Sequence, residues 1–371
     1  MKIFLLSGFL AALSPFAMAD TPAPVRTKLT PAPTSPELLP DGKVVFRCRA
    51  PQAQEVKVSG QFGPEQKLEK GADGWWTVTT GPVPAGVHEY SFKVDGMSII
   101  DHLNPAVKPQ RNPGTSILHV PAQPPAPWDL QAIPQGAVSE HSYHSKALGK
   151  WRRLMVYSPP GYRSDGPALP VLYLSHGFSD NDQAWSVHGK AHSILDSLIA
   201  EKKAVPMLVV MPDAHALPPG AGWKDEYADE NTRAFCQEMS TDVIPLIEKA
   251  YHVNPSPSAR AFAGLSMGGR HALVVALTMS DKFSQIGAFS SAVPGQNTVD
   301  PALVDVPGLN SRLKLLWIAC GKGDFLFNAN NAFDGVLKEK GVNHEYVVTE
   351  GNHSWPVWRN YLVTFAPKLF R

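Results

Sequence analysis

This sequence has almost no net charge. It also lacks clusters of basic residues and the common metal-ligand patterns. Its 371 residues include 34 Lys and Arg against 33 Asp and Glu, a formal net charge of +1, with no run of basic residues. Nucleic acids and acidic membrane surfaces are recognised by concentrated positive charge, so we expect neither as a partner. Neither a CxxC nor an HExxH pattern occurs, which leaves a zinc site without support, and we predict no cofactor.

Cysteine is also rare, with only Cys48, Cys236 and Cys320 in the chain. Three thiols favour small buried side chains over a scaffold built from disulfides, and an odd count leaves at least one of them outside any internal bridge. Whether Cys236 and Cys320 pair stays open at this point.

Long apolar runs are absent apart from one near the start. Lys2 is followed by an apolar stretch over residues 3–16 and by the small-x-small sequence "AMA" at 17–19. The stretch is too short to cross a bilayer comfortably, and no other segment of ~20 apolar residues exists. The pattern therefore predicts a signal peptide over residues 1–19 and a periplasmic or secreted protein.

Two proline-rich segments divide the remaining chain. Residues 20–40 and 121–136 are rich in proline and poor in large apolar residues, which predicts linkers. Residues 41–120, between them, contain short β-branched or aromatic runs such as "KVVFRCRA", "WWTVTTG" and "HEYSFKVDG", broken by Gly, Pro and Asp. Strands at this spacing without helical periodicity predict a small immunoglobulin-like β-sandwich.

Residues 137–371 have a different texture. Apolar strand candidates such as "LPVLYLSHG", "PMLVVMPD" and "LKLLWIACGKGD" alternate with amphipathic segments such as "AHSILDSLIAEKK" and "NAFDGVLKEKG". This alternation predicts an α/β domain in which helices cover both faces of a largely parallel sheet.

One segment of this domain, "AFAGLSMGGRHALVVA" at 261–276, reads as strand, sharp turn and helix. Ser266 lies at the turn between Gly264 and Gly268, in the G-x-S-x-G pattern. The two glycines allow the strand end and the helix start to approach closely, and the serine hydroxyl then projects above the sheet at the positive end of the helix. The pattern predicts a nucleophilic serine.

A nucleophilic serine needs a base, and the base needs an orienting acid. Asp324 follows the strand candidate "LLWIACG", and His353 follows "YVVTEG", so both lie at carboxyl ends of strands, as Ser266 does. The chain order Ser, Asp, His suits a doubly wound hydrolase, and we predict these three as a catalytic triad. Asp324 has the alternative role of capping a turn. His344 is a rival base at the wrong sheet edge, and Glu350 is a rival acid.

Acyl transfer also needs hydrogen-bond donors for the oxyanion, and losing one donor typically costs about 3 kcal/mol of barrier. We predict the backbone N–H of Met267, the residue after the nucleophile, as one donor. The second is expected from the turn after "VLYLS", at Phe178 or Gly177. His176 is expected to be structural.

Taken together, these motifs resemble those of carbohydrate esterase family 1, the esterase D and feruloyl esterase group. "VYSPPGY", "LPVLYLSHGFSDNDQAW", "FAGLSMGGRHAL", "ACGKGD" and "GNHSWPVWRNYL" occur in that family's order over about residues 130–371. The resemblance implies an α/β-hydrolase fold and the same triad.

Residues 41–120 resemble the N-terminal sandwich of glycogen-branching enzymes, a family-48 type of carbohydrate-binding module. "APQAQEVKVSGQF" and "DGWWTVTTGPVPAGVHEYSFKVDG" carry this likeness, while "DHLNP" departs from it because a proline commonly follows that aspartate. Trp75 and Trp76 are either a sugar platform or core residues.

The two resemblances together imply a secreted serine esterase that hydrolyses hydroxycinnamoyl esters on plant xylan. Trp185, Trp355 and Trp358 lie around the predicted site and suit stacking on a phenolic ring, with the core as their alternative place. Three other functions remain open: an acetylxylan or short-acyl esterase, a trilactone siderophore esterase, and a carbohydrate-binding protein without catalysis. The oligomeric state is not predicted.

Overall fold

The structure, a computed structural model, describes residues 33–217 and 229–371. Thr34–Arg371 forms one compact unit, and apart from Pro33 the other unit, Met1–Pro33, lies outside the described residues. The predicted signal peptide over residues 1–19 therefore lies outside them as well. Within the described ranges, no helix combines the length and apolar character needed to cross a membrane.

The first part of the compact unit is built from short strands in two sheets. One sheet has the strand order β1-β2-β6-β5, and the other has the order β4-β3-β7-β8 with β9 paired to β7. The strands are β1 Glu37–Leu38, β2 Val44–Arg49, β3 Val56–Gly60, β4 Gly63–Lys67, β5 Glu69–Lys70, β6 Trp75–Thr79, β7 Gly86–Val94, β8 Met97–Ile99 and β9 Ser116–Val120.

Both sheets enclose a single apolar core. Phe46 of β2, Val58 of β3 and Phe92 of β7 are fully buried there, because alternate residues of each strand face inward. Trp76 also lies in this core, with its indole N–H donating to the Ala50 carbonyl at 2.8 Å. The region is thus a two-sheet sandwich, and its immunoglobulin-like character stays a prediction.

The first predicted linker is partly wrong. Residues 37–38 lie inside the predicted linker over 20–40 but pair with Val45 and Val44 as strand β1. Ser35 is buried and its hydroxyl donates to Asp101 at 2.7 Å. The sandwich therefore begins before residue 41, since strand pairing satisfies backbone groups that a free linker would leave to water.

The second proline-rich segment, 121–136, contains no strand or helix but is fixed in place. Asp129 is buried and accepts hydrogen bonds from the backbone N–H groups of Ala122 and Ala126. Gln131 donates to the hydroxyl of Ser197, which lies in the second part of the chain. This segment is consequently a docked connection.

An eight-stranded sheet forms the centre of the second part. Its order is β10-β11-β13-β12-β14-β15-β16-β17, with β10–β11 and β11–β13 antiparallel and every later pair parallel. The strands are β10 Ala137–Ser145, β11 Lys150–Ser158, β12 Val171–Ser175, β13 Leu208–Pro212, β14 Arg260–Leu265, β15 Gln285–Phe289, β16 Leu315–Gly321 and β17 Glu345–Thr349.

Helices cover both faces of this sheet. They are α1 Ala184–Val187, α2 Ala191–Ala200, α3 Asp229–Glu238, α4 Ile244–Ala250, α5 Met267–Thr278, α6 Gln296–Ala302, α7 Val306–Arg312, α8 Phe327–Lys340 and α9 Trp355–Phe365, with a π-helical turn at Met239–Val243. One apolar cluster includes residues of α3, α5 and α8, and a second includes residues of α2 and α9.

Successive strand residues face opposite clusters. Tyr173 contributes to the first cluster and Leu172 to the second. This two-sided burial explains the nearly continuous apolar strands of the sequence and confirms the predicted α/β class. The three cysteines are free, with Cys48 and Cys320 buried and Cys236 half-buried.

Candidate active site

Ser266 occupies a tight turn between β14 and α5. Its φ is 54° and its ψ is −110°, a backbone conformation that non-glycine residues rarely adopt. A Cβ on Gly264 would lie 2.4 Å from the carbonyl oxygen of Gly268, and a Cβ on Gly268 would lie 2.5 Å from that of His176. Both glycines are therefore needed for the strand, the helix and the neighbouring turn to meet around the serine.

Three side chains from separate strand ends form one hydrogen-bonded chain. The Oγ of Ser266 lies 3.0 Å from Nε2 of His353, and Nδ1 of His353 lies 2.9 and 3.0 Å from the two carboxylate oxygens of Asp324. Because a carboxylate can only accept, Nδ1 donates to Asp324 and Nε2 is left to accept from the serine hydroxyl. The structure thus brings together the three residues of the predicted triad.

Asp324 is held as an ionised group. Burial acts to raise the pKa of its carboxyl, but the hydrogen bonds from His353 and from the backbone N–H of Leu326 outweigh burial and hold this pKa below its usual value. The carboxylate therefore stays charged at neutral pH, which fixes the tautomer and orientation of the imidazole.

The imidazole of His353 is flanked by two aromatic side chains. The ring of Phe325 lies 4.4 Å from it and the ring of Trp358 lies 4.9 Å from it in an edge-on arrangement. Phe325 is 74% exposed, whereas Trp358 is buried. These contacts leave the imidazole partly open to solvent while restricting its rotation.

The rival residues lie elsewhere. His344, near the start of β17, has Nε2 at 2.9 Å from Asp334 and is buried beside it. The Glu350 side chain is 83% exposed and pairs with Lys322 at 2.6 Å. Both side chains therefore have partners outside the Ser266–His353–Asp324 chain.

The predicted oxyanion donors surround the serine. Met267 is the first residue of α5, so helix geometry gives its N–H no intrahelical acceptor. A Cβ on Gly177 would lie 2.6 Å from Leu265 and 3.4 Å from the Cβ of Ser266, which shows how closely this turn approaches the nucleophile. Gly177 and Phe178 line the same cavity as Ser266.

That cavity has a volume of about 240 Å³. Its aromatic lining consists of Phe178, Phe325, Trp355 and Trp358, together with His353. A larger depression of about 510 Å³ lies at the amino ends of the strands, beside Lys314 and Glu345. Its lining contains no histidine, so we assign the chemistry to the smaller cavity.

Two of the three tryptophans predicted near the site reach the cavity. Trp355 and Trp358 are almost fully buried but line its wall. Trp185 is 1% exposed, packs edge-on against Trp355 at 5.0 Å and donates its indole N–H to the Ser175 carbonyl at 3.0 Å. Its predicted stacking role is therefore wrong, because Trp355 covers it. Phe325 and Lys108 also line the cavity, and neither belongs to a sequence motif that would have predicted this.

One cluster of metal-ligating side chains occurs among the described residues. Atoms of His176, Asp213 and His215 lie within 4.8 Å of one another. Nε2 of His176 accepts a hydrogen bond from the backbone N–H of Ala214 at 2.9 Å, and its Nδ1 donates to the Gly177 carbonyl at 2.8 Å. Since both ring nitrogens are engaged with the backbone, His176 braces the turn after β12 and is poorly suited to bind a metal.

Known proteins that are similar to this chain are described as esterases. Residues 145–369 match the family described as putative esterase. An endo-1,4-beta-xylanase/feruloyl esterase of Xylanibacter ruminicola is 30% identical over 92% of this chain, and the chain spans 46% of that relative's length. A solved ferulic acid esterase shares 27% identity, with a TM-score of 0.57 over 63% of this chain and 97% of its own.

A wider structural match includes the N-terminal sandwich. The enterobactin esterase of Shigella flexneri has a TM-score of 0.64 over 88% of this chain and 93% of its own, at 19% identity. At that identity the match concerns the fold alone. Together these neighbours show an α/β-hydrolase-like fold.

Proposed function

This chain belongs to the putative esterase family and is an esterase, and we propose that it hydrolyses feruloyl or p-coumaroyl esters carried by plant xylan. The observation that carries the proposal is the hydrogen-bonded chain of Ser266, His353 and Asp324 at a cavity with an aromatic lining. The family match, the curated relative and the solved ferulic acid esterase confirm the sequence resemblance to the feruloyl esterase group.

Acylation begins at Ser266. Its Oγ attacks the ester carbonyl carbon while Nε2 of His353 takes the hydroxyl proton across 3.0 Å. The negative charge that develops on the carbonyl oxygen is stabilised by the backbone N–H groups of Met267 and Phe178. Asp324 remains ionised and stabilises the imidazolium. The bond to the sugar oxygen then breaks, and His353 gives that oxygen its proton.

Deacylation repeats these steps with water. The feruloyl group is now an ester of Ser266, and His353, neutral again, takes a proton from the water that attacks it. Collapse of the second tetrahedral intermediate breaks the bond to the serine oxygen, and His353 returns the proton to that oxygen. The free acid leaves and the enzyme is restored without any cofactor.

Acyl preference follows from the cavity walls. Phe178, Phe325, Trp355 and Trp358 offer apolar and aromatic surface at the nucleophile, and offset or edge-on ring contacts suit a planar phenolic acyl group. An acetyl group would leave most of this surface without contact. A polysaccharide chain is too large for about 240 Å³, so the sugar lies outside the cavity mouth.

The relatives support the same substrate class. The curated relative is named as a xylanase/feruloyl esterase, and its feruloyl esterase activity is the one we assign to this chain. We propose no endo-xylanase activity for this chain, because it spans less than half of the relative's length.

Ester hydrolysis by the purified protein tests the proposal. We expect methyl ferulate and feruloylated xylan to be cleaved with a higher kcat/KM than acetylated xylan, and Ser266→Ala to abolish each activity. Preferential acetate release would instead indicate a short-acyl esterase, and preferential hydrolysis of a trilactone siderophore would indicate a siderophore esterase. Xylan binding without hydrolysis of any ester would contradict catalysis altogether.

A further inference from the structure

A loop of the N-terminal sandwich lies directly against the proposed oxyanion turn. Gln110 and Asp180 form an antiparallel β-bridge, and the backbone N–H of Arg111 donates to the carbonyl of Ser179 at 2.9 Å. The turn at residues 177–180, which includes the proposed donor Phe178, is thus paired with backbone from the other part of the chain. Two backbone segments far apart in sequence share one short ladder.

Side chains reinforce this ladder. The guanidinium of Arg111 lies over the ring of Phe178 at 5.2 Å, and the amide of Gln110 donates to the hydroxyl of Ser179 at 3.4 Å. Ser179 has a φ of 66°, a conformation that costs a non-glycine residue free energy. The turn therefore depends on its surroundings to keep its geometry.

Lys108 is a charged residue of the sandwich that itself lines the cavity. It is 8% exposed, and it lines the cavity beside Ser266. Its Nζ lies 3.2 Å from a carboxylate oxygen of Glu89, in β7, and 3.7 Å from Oδ1 of Asp180, at the end of the turn. The Asp180 side chain is almost fully buried, and the ammonium of Lys108 partly compensates the negative charge of its carboxylate.

The pKa of Asp180 reflects both its burial and its contact with Lys108. Burial raises the pKa of Asp180 to about 6, while Lys108 acts in the opposite direction. Removing the ammonium would leave this carboxylate buried without a countercharge at contact distance, and such a group moves toward water or takes up a proton. Movement of the carboxylate toward water displaces the turn that presents Phe178, whereas a neutral side chain at this position has no charge to expel.

We propose that Lys108, supplied by the N-terminal sandwich, is a positioning residue of the esterase site that fixes the oxyanion turn through Asp180. The inference rests on the proposed function, because it concerns the same oxyanion donor. It assigns the sandwich a part in ester hydrolysis itself, in addition to any contact with a polysaccharide.

Steady-state kinetics of Lys108→Met in the full chain test this role. A misplaced oxyanion donor weakens binding of the transition state more than binding of the substrate. We expect kcat to fall about tenfold for both p-nitrophenyl acetate and methyl ferulate, with each KM changed less than twofold. Lys93→Met is the matched control, because Lys93 lies exposed in the same sandwich and pairs only with Glu65 among its described carboxylate contacts. It should keep wild-type kcat.

Two further variants separate positioning from general destabilisation. Lys108→Arg keeps the charge and should retain most of kcat, while Asp180→Asn added to Lys108→Met should recover part of the lost kcat. A Lys108→Met enzyme with unchanged kcat would overturn the inference. So would a KM increase confined to methyl ferulate, since that pattern marks a direct substrate contact. Activity that survives Ser266→Ala would instead contradict the proposed function, so the two failures are distinguishable.

Discussion

The carboxyl edge of the eight-stranded sheet and the N-terminal sandwich contribute to the site in different ways. At the sheet edge, the nucleophile, base and acid follow β14, β17 and β16, and parallel pairing brings their ends to one side. The sandwich contributes one docked loop, through Lys108 and the backbone of residues 110–111. The first region thus provides reacting groups, and the second provides support for a donor. Variants in the two regions should differ accordingly in size and kind of effect.

The largest effect should come from the sheet edge. Asp324→Asn keeps the shape of the acid but removes its charge and allows the amide to donate to Nδ1, which favours the wrong tautomer of His353. We expect kcat on methyl ferulate to fall about 10⁴-fold, by analogy with the general behaviour of serine triads, with little change in melting temperature. A loss smaller than that of Lys108→Met would reverse the ranking of the two regions.

Two glycine substitutions test whether the turn at Ser266 depends on close packing. Gly264→Ala places a methyl group 2.4 Å from backbone oxygen at the elbow, so the turn must shift. We expect roughly 2–3 kcal/mol loss in the free energy of unfolding and about 10²-fold loss of kcat. Gly335→Ala in α8 is the control, because outside its own stretch of helix no atom of the described residues lies within 4 Å of its new Cβ.

The control should behave in the opposite direction. Alanine stabilises a helix interior by about 0.5–1 kcal/mol relative to glycine, and α8 does not reach the cavity lining. Denaturant unfolding and kinetics of both variants check this pair. Equal effects from the two substitutions would show that close packing around Gly264 does not constrain the turn at Ser266.

The smallest effect concerns the sandwich and depends on pH. Burial acts to raise the pKa of Glu89, but contacts with His188 and Lys108 outweigh it and bring this pKa to about 2, below the ordinary 4.5. A lowered pKa stabilises the fold above the unfolded pKa, and this stabilisation is lost as pH falls through the folded value.

Glu89→Gln should therefore lower the free energy of unfolding by roughly 1–2 kcal/mol at neutral pH, where Lys108 is the charged partner because burial lowers the pKa of His188 to about 4. The gap between wild type and variant should close as pH falls from about 4.5 toward 2, which denaturant unfolding across this range measures. A gap that stays constant would mean that Glu89 is not held charged by its neighbours.

The sheet edge was predictable from sequence because its signals are local. Ser266 lies in a recognisable strand–turn–helix pattern, while Asp324 and His353 directly follow apolar strands, so topology alone places them near each other. Trp185 could not be told from Trp355 in this way. Both are tryptophans near the predicted site, and only the packing of one against the other shows which reaches the cavity.

The contribution of the sandwich could not be predicted, because it arises from docking. Lys108 lies in a loop rich in proline and polar residues, and nothing in its neighbours indicates burial beside Asp180. The edge strand β10 carries little sequence signal for a related reason. Most of its residues are exposed or half-buried and only Tyr143 and Ser145 are buried, so it lacks the continuous apolar run that marks the central strands.

Covalent labelling of the nucleophile tests most directly whether Ser266 forms the acyl-enzyme. The protein would be treated with a serine-directed fluorophosphonate and digested, and the labelled peptide identified by mass spectrometry alongside residual hydrolysis of methyl ferulate. We predict one adduct per chain, on Ser266, with activity lost in proportion to labelling and no adduct in Ser266→Ala. Inactivation with the adduct on a different residue, or full labelling of Ser266 with activity retained, would contradict the mechanism.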